Sequence, residues 1–208
     1  MKISIQREDI LKPLQQVIGA VEKRQTLPAL ANVLIRSEGN GLSITATDLE
    51  VELVAYVERA ADEAGEVTMP ARKLADICKA LPDGAAITIV TEGERATVTS
   101  GKSRFTLSTL PAAEFPSLEE VASSREFEIP QGALKRLIEK TGFAMANQDV
   151  RYYLNGLMME VSDGKLRAVA TDGHRLAMSQ CDAAVEAETP QQVIVPRKGV
   201  QELMRLLG

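Results

Sequence analysis

The chain lacks most of the residues from which metal sites and disulfide frameworks are built. Its 208 residues include no tryptophan, one histidine and two cysteines, Cys78 and Cys181, which lie far apart in the sequence. One histidine and two distant cysteines cannot assemble a usual zinc site, and two cysteines do not make a disulfide scaffold. We therefore expect no metal, no cofactor and a reducing, cytoplasmic compartment.

Long apolar runs are also missing. No segment approaches the roughly 18 consecutive apolar residues of a membrane span, so we expect no transmembrane helix and no membrane partner. The first ten residues, MKISIQREDI, reach charged side chains at once and contain no apolar segment typical of a secretory signal. With 45% apolar and 25% charged residues, the composition is that of an ordinary globular protein.

Positive charge is in deficit overall, yet it is unevenly distributed. The net charge of −5 argues against a protein held on nucleic acid by surface charge alone. Four segments predicted as helices, 8–20, 70–81, 130–145 and 196–208, carry ten Lys or Arg and five Asp or Glu, so they hold +5 and the remainder −10. A charged helix face is usually only a solvated face. The alternative is a mildly basic helical surface that faces an anion.

The sequence repeats itself at a spacing of about 125 residues. Residues 30–48 match 154–172, and both segments end in Ala-Thr-Asp. Two further blocks keep the same order: KISIQREDILKPL matches EFEIPQGALKRLI, and VTMPARKLADICKALPDG matches VIVPRKGVQELMRLLG. Three ordered blocks indicate two copies of one structural unit.

Each copy is predicted to combine antiparallel strands with two helices, which is an α+β architecture. An alternating strand, Lys2–Gln6 or Glu126–Ile129, leads into an amphipathic helix. Two strands then follow around a glycine-containing turn, and one further strand precedes a second helix. That helix begins at Pro70 in the first copy and at Pro196 in the second, because proline suits the first turn of a helix.

The first copy continues past its second helix with three alternating runs, which predict a meander of antiparallel strands. The second copy reaches Gly208 where its own meander should begin, so we expect a second domain cut before its final strands and no third domain. We place the domains at 1–120 and 121–208, with a polar linker over Pro116–Ser124. The three runs are Ala86–Val90, Glu94–Ser100 and Arg104–Leu110.

One string imitates a phosphate-binding loop. Residues 96–103, ATVTSGKS, end in Gly-Lys-Ser, but Ala96 stands where the first glycine of G-x-x-x-x-G-K-[ST] belongs. An alternating strand follows instead of a helix. We therefore expect a tight turn at Gly101.

The string TDGHRL at residues 171–176 allows three interpretations. Asp172 orienting His174 as a general base would suggest a hydrolase, but no well-placed nucleophile or metal cluster accompanies the pair. The first copy keeps Thr-Asp at the matching place and lacks the glycine and histidine, which fits an Asp that folds a turn in both copies. The third interpretation is a binding edge specific to the second copy.

The string NQDVRYY at residues 147–153 forms a polar loop that holds two of the three tyrosines. The rings of Tyr152 and Tyr153 could pack over a strand edge. Alternatively, the amide, guanidinium and phenol groups of this loop contact a sugar–phosphate backbone.

Together with the repeat, several long strings make the chain resemble the bacterial sliding clamps, the β subunits of replicative DNA polymerases. In that family each protomer has three similar domains, and two protomers close head-to-tail into a ring whose helices line the hole. The resemblance implies a DNA-clamp fold with the sheets outside, a homodimer at full length, and a non-enzymatic accessory subunit of a DNA-directed DNA polymerase. The matching strings are LKPLQQV, TLPALANVLI, TATDLEVE, MPARKLADICKALPDG, SRFTLSTLPAAEFP, QDVRYYLNG, ATDGHRLA and VIVPRKGVQELMRLL.

The resemblance also implies the partners and the sites. The ring encircles double-stranded DNA and tethers the polymerase, so that a closed ring would need only weak phosphate contacts. The DNA-contacting positions that match are Arg24, Arg72, Gln148, Tyr152 and Tyr153, and charge alone adds Lys12, Lys198 and Arg205 as weaker candidates.

In the family, short linear peptides of polymerase subunits, the clamp loader and repair proteins dock in an apolar pocket between the second and third domains. Leu154 and Leu176 would offer aliphatic walls, Gly173 would permit close backbone approach, and Arg175 would supply a polar rim. The matching positions of that pocket are Leu154, Thr171, Gly173, His174, Arg175 and Leu176.

Overall fold

In a computed structural model of the chain, the described residues are 1–21, 27–116, 126–185 and 189–207. The chain divides into two compact units, Met1–Glu119 and Glu120–Gly208. Each unit is built as the repeat predicts, with antiparallel strands and two α-helices, so the α+β prediction is confirmed. Among the described residues, no helix is long and apolar enough to span a membrane.

The first unit contains two four-stranded antiparallel sheets, with strand orders β1-β6-β7-β8 and β4-β3-β2-β5. Helix α1 packs on β4 and β3 and lies beside α2, which contacts β2 and β5. The elements are β1 (Lys2–Gln6), α1 (Arg7–Val17), β2 (Asn32–Glu38), β3 (Gly41–Thr47), β4 (Glu52–Val57), β5 (Glu66–Pro70), α2 (Ala71–Ala80), β6 (Ala86–Glu92), β7 (Arg95–Ser100) and β8 (Ser103–Ser108), with short 3-10 turns at Pro28–Ala31 and Ala112–Glu114.

The core of the first unit lies between the helices and the sheets. Leu14 of α1, Leu74 of α2 and Ile35 of β2 are each at most 1% exposed. Ile3 of β1 and Ile89 of β6 join the same cluster from the other sheet. This alternation of inward apolar and outward polar side chains is the pattern that the strand predictions rely on.

The second unit has one four-stranded sheet of order β11-β10-β9-β12, which repeats the order β4-β3-β2-β5 of the first unit. Helix α3 packs on β11 and β10, and α4 contacts β12 and β9. Its elements are α3 (Gln131–Thr141), β9 (Gly156–Ser162), β10 (Lys165–Thr171), β11 (Leu176–Asp182), β12 (Gln191–Pro196) and α4 (Arg197–Leu206), with 3-10 turns at Gly142–Ala144 and Tyr152–Leu154.

The predicted strand Glu126–Ile129 is wrong, because residues 126–130 form no strand. Its counterpart β1 is held by pairing with β6, which follows α2, whereas the described residues after β12 form only α4. Alternation alone cannot make a strand without a partner for its backbone hydrogen bonds.

The helix predictions are confirmed with shorter bounds. Helix α1 runs through the buried Pro13 and ends at Val17, and α3 ends at Thr141, where a 3-10 turn takes over. Strands β5 and β12 are not predicted from the sequence, because each runs directly into a helix through Pro70 or Pro196. The predicted linker Pro116–Ser124 lies, apart from Pro116, outside the described residues.

The predicted meander of the first unit is confirmed as β6, β7 and β8. Gly101, at a φ of +55°, makes the tight turn between β7 and β8, so the Gly-Lys-Ser string precedes a strand and is no phosphate loop. Both cysteine thiols are free. Burial raises the pKa of Cys78 in the first core to about 11 and also raises the pKa of the half-buried Cys181 on β11.

Candidate functional site

The turn between β10 and β11 is folded by two polar side chains. The Asp172 carboxylate accepts hydrogen bonds from the backbone N–H groups of His174 and Arg175, both at 3.0 Å. The Thr171 hydroxyl accepts from the N–H of Gly173 at 3.1 Å and donates to the carbonyl of Arg175 at 2.7 Å. Gly173 takes a φ of +89° at the tip of this turn.

The matching turn of the first unit has the same hydrogen bonds from backbone N–H groups to its Asp and Thr side chains. Asp48 Oδ1 accepts from the N–H groups of Glu50 and Val51 at 3.0 and 2.8 Å, and the Thr47 hydroxyl accepts from the N–H of Leu49. Leu49 stands at a φ of +78°, where the second unit has glycine. The interpretation of Asp as a turn-forming residue in both copies is therefore confirmed.

The geometry of Asp172 gives no support to the hydrolase interpretation. Besides the two backbone donors, its second carboxylate oxygen accepts from Nε of Arg175 at 3.0 Å. The contact with His174 is thus to its backbone N–H and not to its imidazole. These donors lower the pKa of Asp172, chiefly the two backbone N–H groups.

Arg175 ties the turn to the 3-10 turn that follows α3. One terminal nitrogen of its guanidinium donates to the carbonyl of Phe143 at 2.9 Å, and the guanidinium carbon lies 5.5 Å from the centre of the Phe143 ring. A cation over an aromatic face at this distance is attractive. Arg175 is therefore both exposed and tied at two places, to Asp172 and to Phe143.

The segment 145–155, which we call the tyrosine loop, is held together by hydrogen bonds between its own residues. The Asn155 amide accepts from the N–H of Asp149 at 2.9 Å and donates to the carbonyl of Asp149 at 2.8 Å. The Asp149 carboxylate accepts from the backbone N–H, Nε and a terminal nitrogen of Arg151 at 2.8, 3.0 and 2.9 Å. This pairing lowers the pKa of Asp149 to about 2 and raises the pKa of Arg151.

The tyrosine loop and the Thr-Asp turn meet at one point. A Cβ placed on Gly173 would lie 3.2 Å from a terminal nitrogen of Arg151. The absence of a side chain at Gly173 therefore lets the paired Arg151–Asp149 group lie against the backbone of the turn. The structure thus brings two strings that are far apart in sequence, NQDVRYY and TDGHRL, into one site.

The site presents apolar and aromatic groups to solvent. Tyr152 is 82% exposed and Tyr153 is 52% exposed, and the rings meet edge to face with centroids 5.9 Å apart. The exposure of Tyr152 argues against packing of that ring over a strand edge, whereas Tyr153 keeps about half of its surface covered. Leu176, at the start of the edge strand β11, is 67% exposed, whereas Leu154 and Thr171 are half-buried.

The remaining DNA-contact candidates are placed as follows. Gln148 is exposed in the tyrosine loop at a φ of +58°. Arg72 and Lys12 are exposed on α2 and α1 of the first unit, and Lys198 is half-buried on α4. Arg205 is paired with Glu202 on α4 at 2.7 Å, and Arg24 lies outside the described residues.

The excess positive charge of the helices is concentrated on three of them. Helices α2, α3 and α4 each carry three basic and one acidic residue, whereas α1 carries two of each. In α1, moreover, Arg7 is paired with Glu8 and Asp83 at 2.9 and 2.7 Å. The helices with a net positive charge are therefore α2 in the first unit and both helices of the second.

Three residues of the site were not predicted from the sequence: Phe143, Asn155, and Arg197 of α4, whose guanidinium donates to the carbonyls of Met145 and Ala146 in the tyrosine loop. Asn155 belongs to the quoted string QDVRYYLNG, and its amide next to a polar loop is a usable signal. Phe143 and Arg197 act over long sequence separations and leave no local pattern. Among the described residues, no group of three or more His, Cys, Asp or Glu side chains could hold a metal ion.

Comparisons with known proteins identify the family of the chain. Residues 1–119 match the family model described as the N-terminal domain of the DNA polymerase III beta subunit, and residues 128–208 match that of its central domain. The beta sliding clamp of Pseudomonas aeruginosa is 60% identical over 209 aligned residues, and that of Escherichia coli is 55% identical. Each alignment covers all of this chain and 57% of the relative, so the chain spans little more than half the length of these proteins.

Solved structures agree with the sequence matches. The DNA polymerase III subunit beta of P. aeruginosa superposes with a TM-score of 0.95 at 59% identity, covering all of this chain and 57% of that one. A P. aeruginosa sliding clamp bound to griselimycin gives 0.93 at 58% identity over 56% of its chain, and the Caulobacter crescentus protein gives 0.92 at 43% over 58%. The chain therefore belongs to the DNA polymerase III beta subunit family, the bacterial sliding clamps.

Proposed function

We propose that this chain forms part of a sliding clamp, a ring that encircles duplex DNA and tethers the replicative polymerase so that synthesis is processive. The observation that carries the proposal is the match of both units to successive domains of the beta subunit family. In this proposal residues 1–120 and 121–208 are the first and second clamp domains. A homodimeric ring in the cytoplasm, without catalytic activity of its own, belongs to the same proposal.

The charge distribution supports a ring held by topology. Helices α2, α3 and α4 each have a net charge of +2, whereas the chain as a whole has −5. Each phosphate contact makes binding more sensitive to salt, and a strongly basic surface would hold DNA tightly instead of letting it slide. A mildly basic helical surface is therefore suited to a protein that is retained by encirclement and moves along its duplex.

We assign the DNA contacts to Arg24, Arg72, Gln148, Tyr152 and Tyr153, with Lys12, Lys198 and Arg205 as weaker candidates. The exposure of both tyrosines supports the assignment, because two adjacent exposed rings offer one contact surface to a ligand. Amide and phenol groups contact phosphate and sugar without reading base sequence. Arg205 is the weakest candidate, since Glu202 already holds its guanidinium.

We assign peptide docking to Leu154, Thr171, Gly173, His174, Arg175 and Leu176. Exposed Leu176 on the edge strand β11 would anchor an apolar side chain of the peptides of polymerase subunits, the clamp loader and repair proteins. The griselimycin-bound clamp of P. aeruginosa supports ligand binding by a relative of this chain. Arg175 serves as a fixed rim in this assignment, because Asp172 and Phe143 hold its guanidinium.

The test of encirclement uses a chimaera in which residues 1–208 replace the matching segment of the P. aeruginosa clamp. The clamp loader places the chimaera on a nicked circular plasmid, and gel filtration in high salt measures the protein that stays on the DNA. We expect retention on the circle and release after a restriction enzyme linearises it. Chimaera mixed with plasmid without the loader is the control, and equal retention on circular and linear DNA would contradict the ring.

A further inference from the structure

Arg197, the first residue of α4, joins the two ends of the tyrosine loop. One terminal nitrogen of its guanidinium donates to the carbonyls of Met145 and Ala146 at 3.0 and 3.3 Å, where the loop begins. Its backbone N–H donates to the carbonyl of Asn155 at 2.9 Å, where the loop ends. The N–H of Ala146 closes the base of the loop by donating to the carbonyl of Leu154 at 3.0 Å.

The hydrogen bonds inside the loop connect its middle to its end at Asn155. Asn155, whose carbonyl Arg197 holds, pairs through its amide with both backbone groups of Asp149. Asp149 in turn holds Arg151 through three hydrogen bonds. The hydrogen bonds of Asn155, Asp149 and Arg151 lie within the loop, whereas those of Arg197 come from α4. The Arg197 bonds therefore fix the loop relative to the sheet and α4.

Met145 and Ala146 at the base of the loop are buried, but the middle of the loop depends on hydrogen bonds more than on packing. Val150, Tyr152 and Tyr153 are 97%, 82% and 52% exposed, so the middle of the loop buries little apolar surface. A segment with few buried contacts opens locally at low cost in free energy unless its backbone is tied. A contact made by an exposed ring is weakened when the ring must first be ordered by its ligand.

At the position that matches Arg197, the first unit has a residue that cannot make the side-chain bonds of this tie. The repeat aligns Ala71 with Arg197, and both residues begin the second helix directly after a proline. Ala71 is fully buried and has no side-chain donor. The arginine is therefore a feature of the second unit, where the loop carries the exposed tyrosines.

We infer that Arg197 is a positioning residue for the DNA contacts of Gln148, Tyr152 and Tyr153, and this inference rests on the proposed function. Its side chain acts by holding the carbonyls of Met145 and Ala146, not by contacting a phosphate. The loop is thereby presented in one arrangement, so the duplex does not bear the cost of ordering it.

The first test measures the loop without DNA. Hydrogen exchange on the 208-residue chain should show protected N–H groups at Ala146, Asp149, Leu154 and Asn155, and Arg197→Ala should raise their exchange rates at least about tenfold. Lys165→Ala, which removes one positive charge at the start of β10, is the matched control and should leave these rates unchanged. Unchanged rates in Arg197→Ala would overturn the inference, and thermal unfolding of each variant shows whether the fold persists.

The second test is a double-mutant cycle on the affinity of the chimaera for a short fluorescent duplex in low salt. Arg197→Ala and Tyr152→Ala should each weaken binding about three- to tenfold, and the double variant should be little weaker than either, because Arg197 acts through the loop. Arg197→Lys keeps the charge but lacks the rigid, planar guanidinium that aims one nitrogen at both carbonyls, so it should recover only part of the affinity. Additive losses, or full recovery with lysine, would indicate a direct phosphate contact and overturn the inference.

The two proposals fail in different ways. If the unaltered chimaera did not bind the duplex, the proposed function would fail and the purpose assigned to Arg197 would fail with it. If the unaltered chimaera bound and Arg197→Ala bound equally well, only the positioning role would fail.

Discussion

The Thr-Asp turns of the two units share the hydrogen bonds from backbone N–H groups to their Asp and Thr side chains but differ in which side chains they expose. In the first unit Thr47 is 1% exposed and Leu30, the counterpart of Leu154, is 2% exposed. In the second unit Thr171 and Leu154 are only half-buried, and Leu176 stands out where the first unit has Glu52. The same backbone turn therefore stands beside a buried Thr and Leu in the first unit and beside half-buried counterparts and the exposed Leu176 in the second.

A second difference lies across the sheets. In the sheet β4-β3-β2-β5 and in its counterpart β11-β10-β9-β12, four residues at matching positions pair directly across the strands. Each of these two rows contains one Arg–Glu ion pair. In the first unit Arg36 and Glu66 pair at 3.0 Å with both side chains about half exposed, whereas in the second Arg167 and Glu160 pair across other strands with Glu160 only 10% exposed. The rows are Tyr56, Ser43, Arg36 and Glu66, and Gln180, Arg167, Glu160 and Gln192.

These differences teach that the fold of the unit is fixed by backbone pairing and by a few short polar side chains. Asp48 and Asp172 each accept hydrogen bonds from the backbone N–H groups two and three positions further along the chain. Because these bonds use the backbone, the side chains at the tip of the turn can differ in chemistry. A binding end can then be made or removed by exchanging tip residues. The exchanges below test this, beginning with the largest expected effect.

The largest effect should come from Leu176→Glu, which gives the second unit the residue type that the first has at Glu52. A charge in an apolar contact loses its hydration without gaining a partner. We expect the affinity of the chimaera for griselimycin to fall at least about 30-fold, or about 2 kcal/mol, in a calorimetric titration. Glu52→Leu is the control and should bind as the unaltered chimaera does; undiminished affinity of Leu176→Glu would argue against the pocket assignment.

The next effect concerns the tips of the turns. Gly173→Leu puts a side chain at positive φ and within 3.2 Å of the Arg151 guanidinium, so we expect the second unit to lose about 2 kcal/mol of unfolding free energy in urea. Leu49→Gly removes a strained residue but also apolar contacts, and it should change the stability of the first unit by under about 1 kcal/mol. Equal losses from both exchanges would show that the two turns do not differ as described.

The third comparison uses the two ion pairs. Glu160→Gln removes the charge that faces Arg167 at 2.6 Å and Gln192 at 2.6 Å in a nearly buried place, so it should cost about 2 kcal/mol. Glu66→Gln breaks an exposed pair and should cost under about 1 kcal/mol. Urea unfolding monitored by hydrogen exchange separates the units, and similar costs would mean that burial does not set the difference.

The smallest effect is a pH dependence confined to the tyrosine loop. The folded pKa of Asp149, about 2, is below the usual value near 3.8, so its tie to Arg151 is fully present above about pH 4 and is lost as the pH falls through about 2. Carbon-13 NMR of the carboxyl group should follow this titration together with the amide shift of Asn155. Asp149→Asn should abolish the step at Asn155, and a carboxyl that titrated near pH 4 would mean that the pair is not formed.

Local and repeated features could be predicted from the sequence. The two copies, the meander of the first, the helix faces and the Asp-folded turns each depend on residues within a few positions of one another. The strand Glu126–Ile129 was wrongly predicted because pairing is nonlocal, and β5 and β12 were missed because their alternation ends in a proline that was read as a helix start.

The candidate site was predicted only in its parts. The strings NQDVRYY and TDGHRL stand out by composition, but nothing periodic indicates that Arg151 lies against Gly173 or that Arg197 reaches Met145. Such contacts arise when the strands β9 and β10 and helix α4 are assembled, and they join residues 22 and 52 positions apart. The roles of Leu154 and Leu176 came from resemblance, because a single leucine has no distinctive pattern.

The two free thiols give the units separate chemical reporters. Thiolate is the reactive form, so the raised pKa and burial of Cys78 keep its sulfur from alkylating reagents until the first core opens. Cys181 is half-buried on an edge strand and accessible without such opening. In a Cys181→Ser chain, the rate at which Cys78 is alkylated would therefore report how often the core of the first unit opens, without a contribution from the second unit.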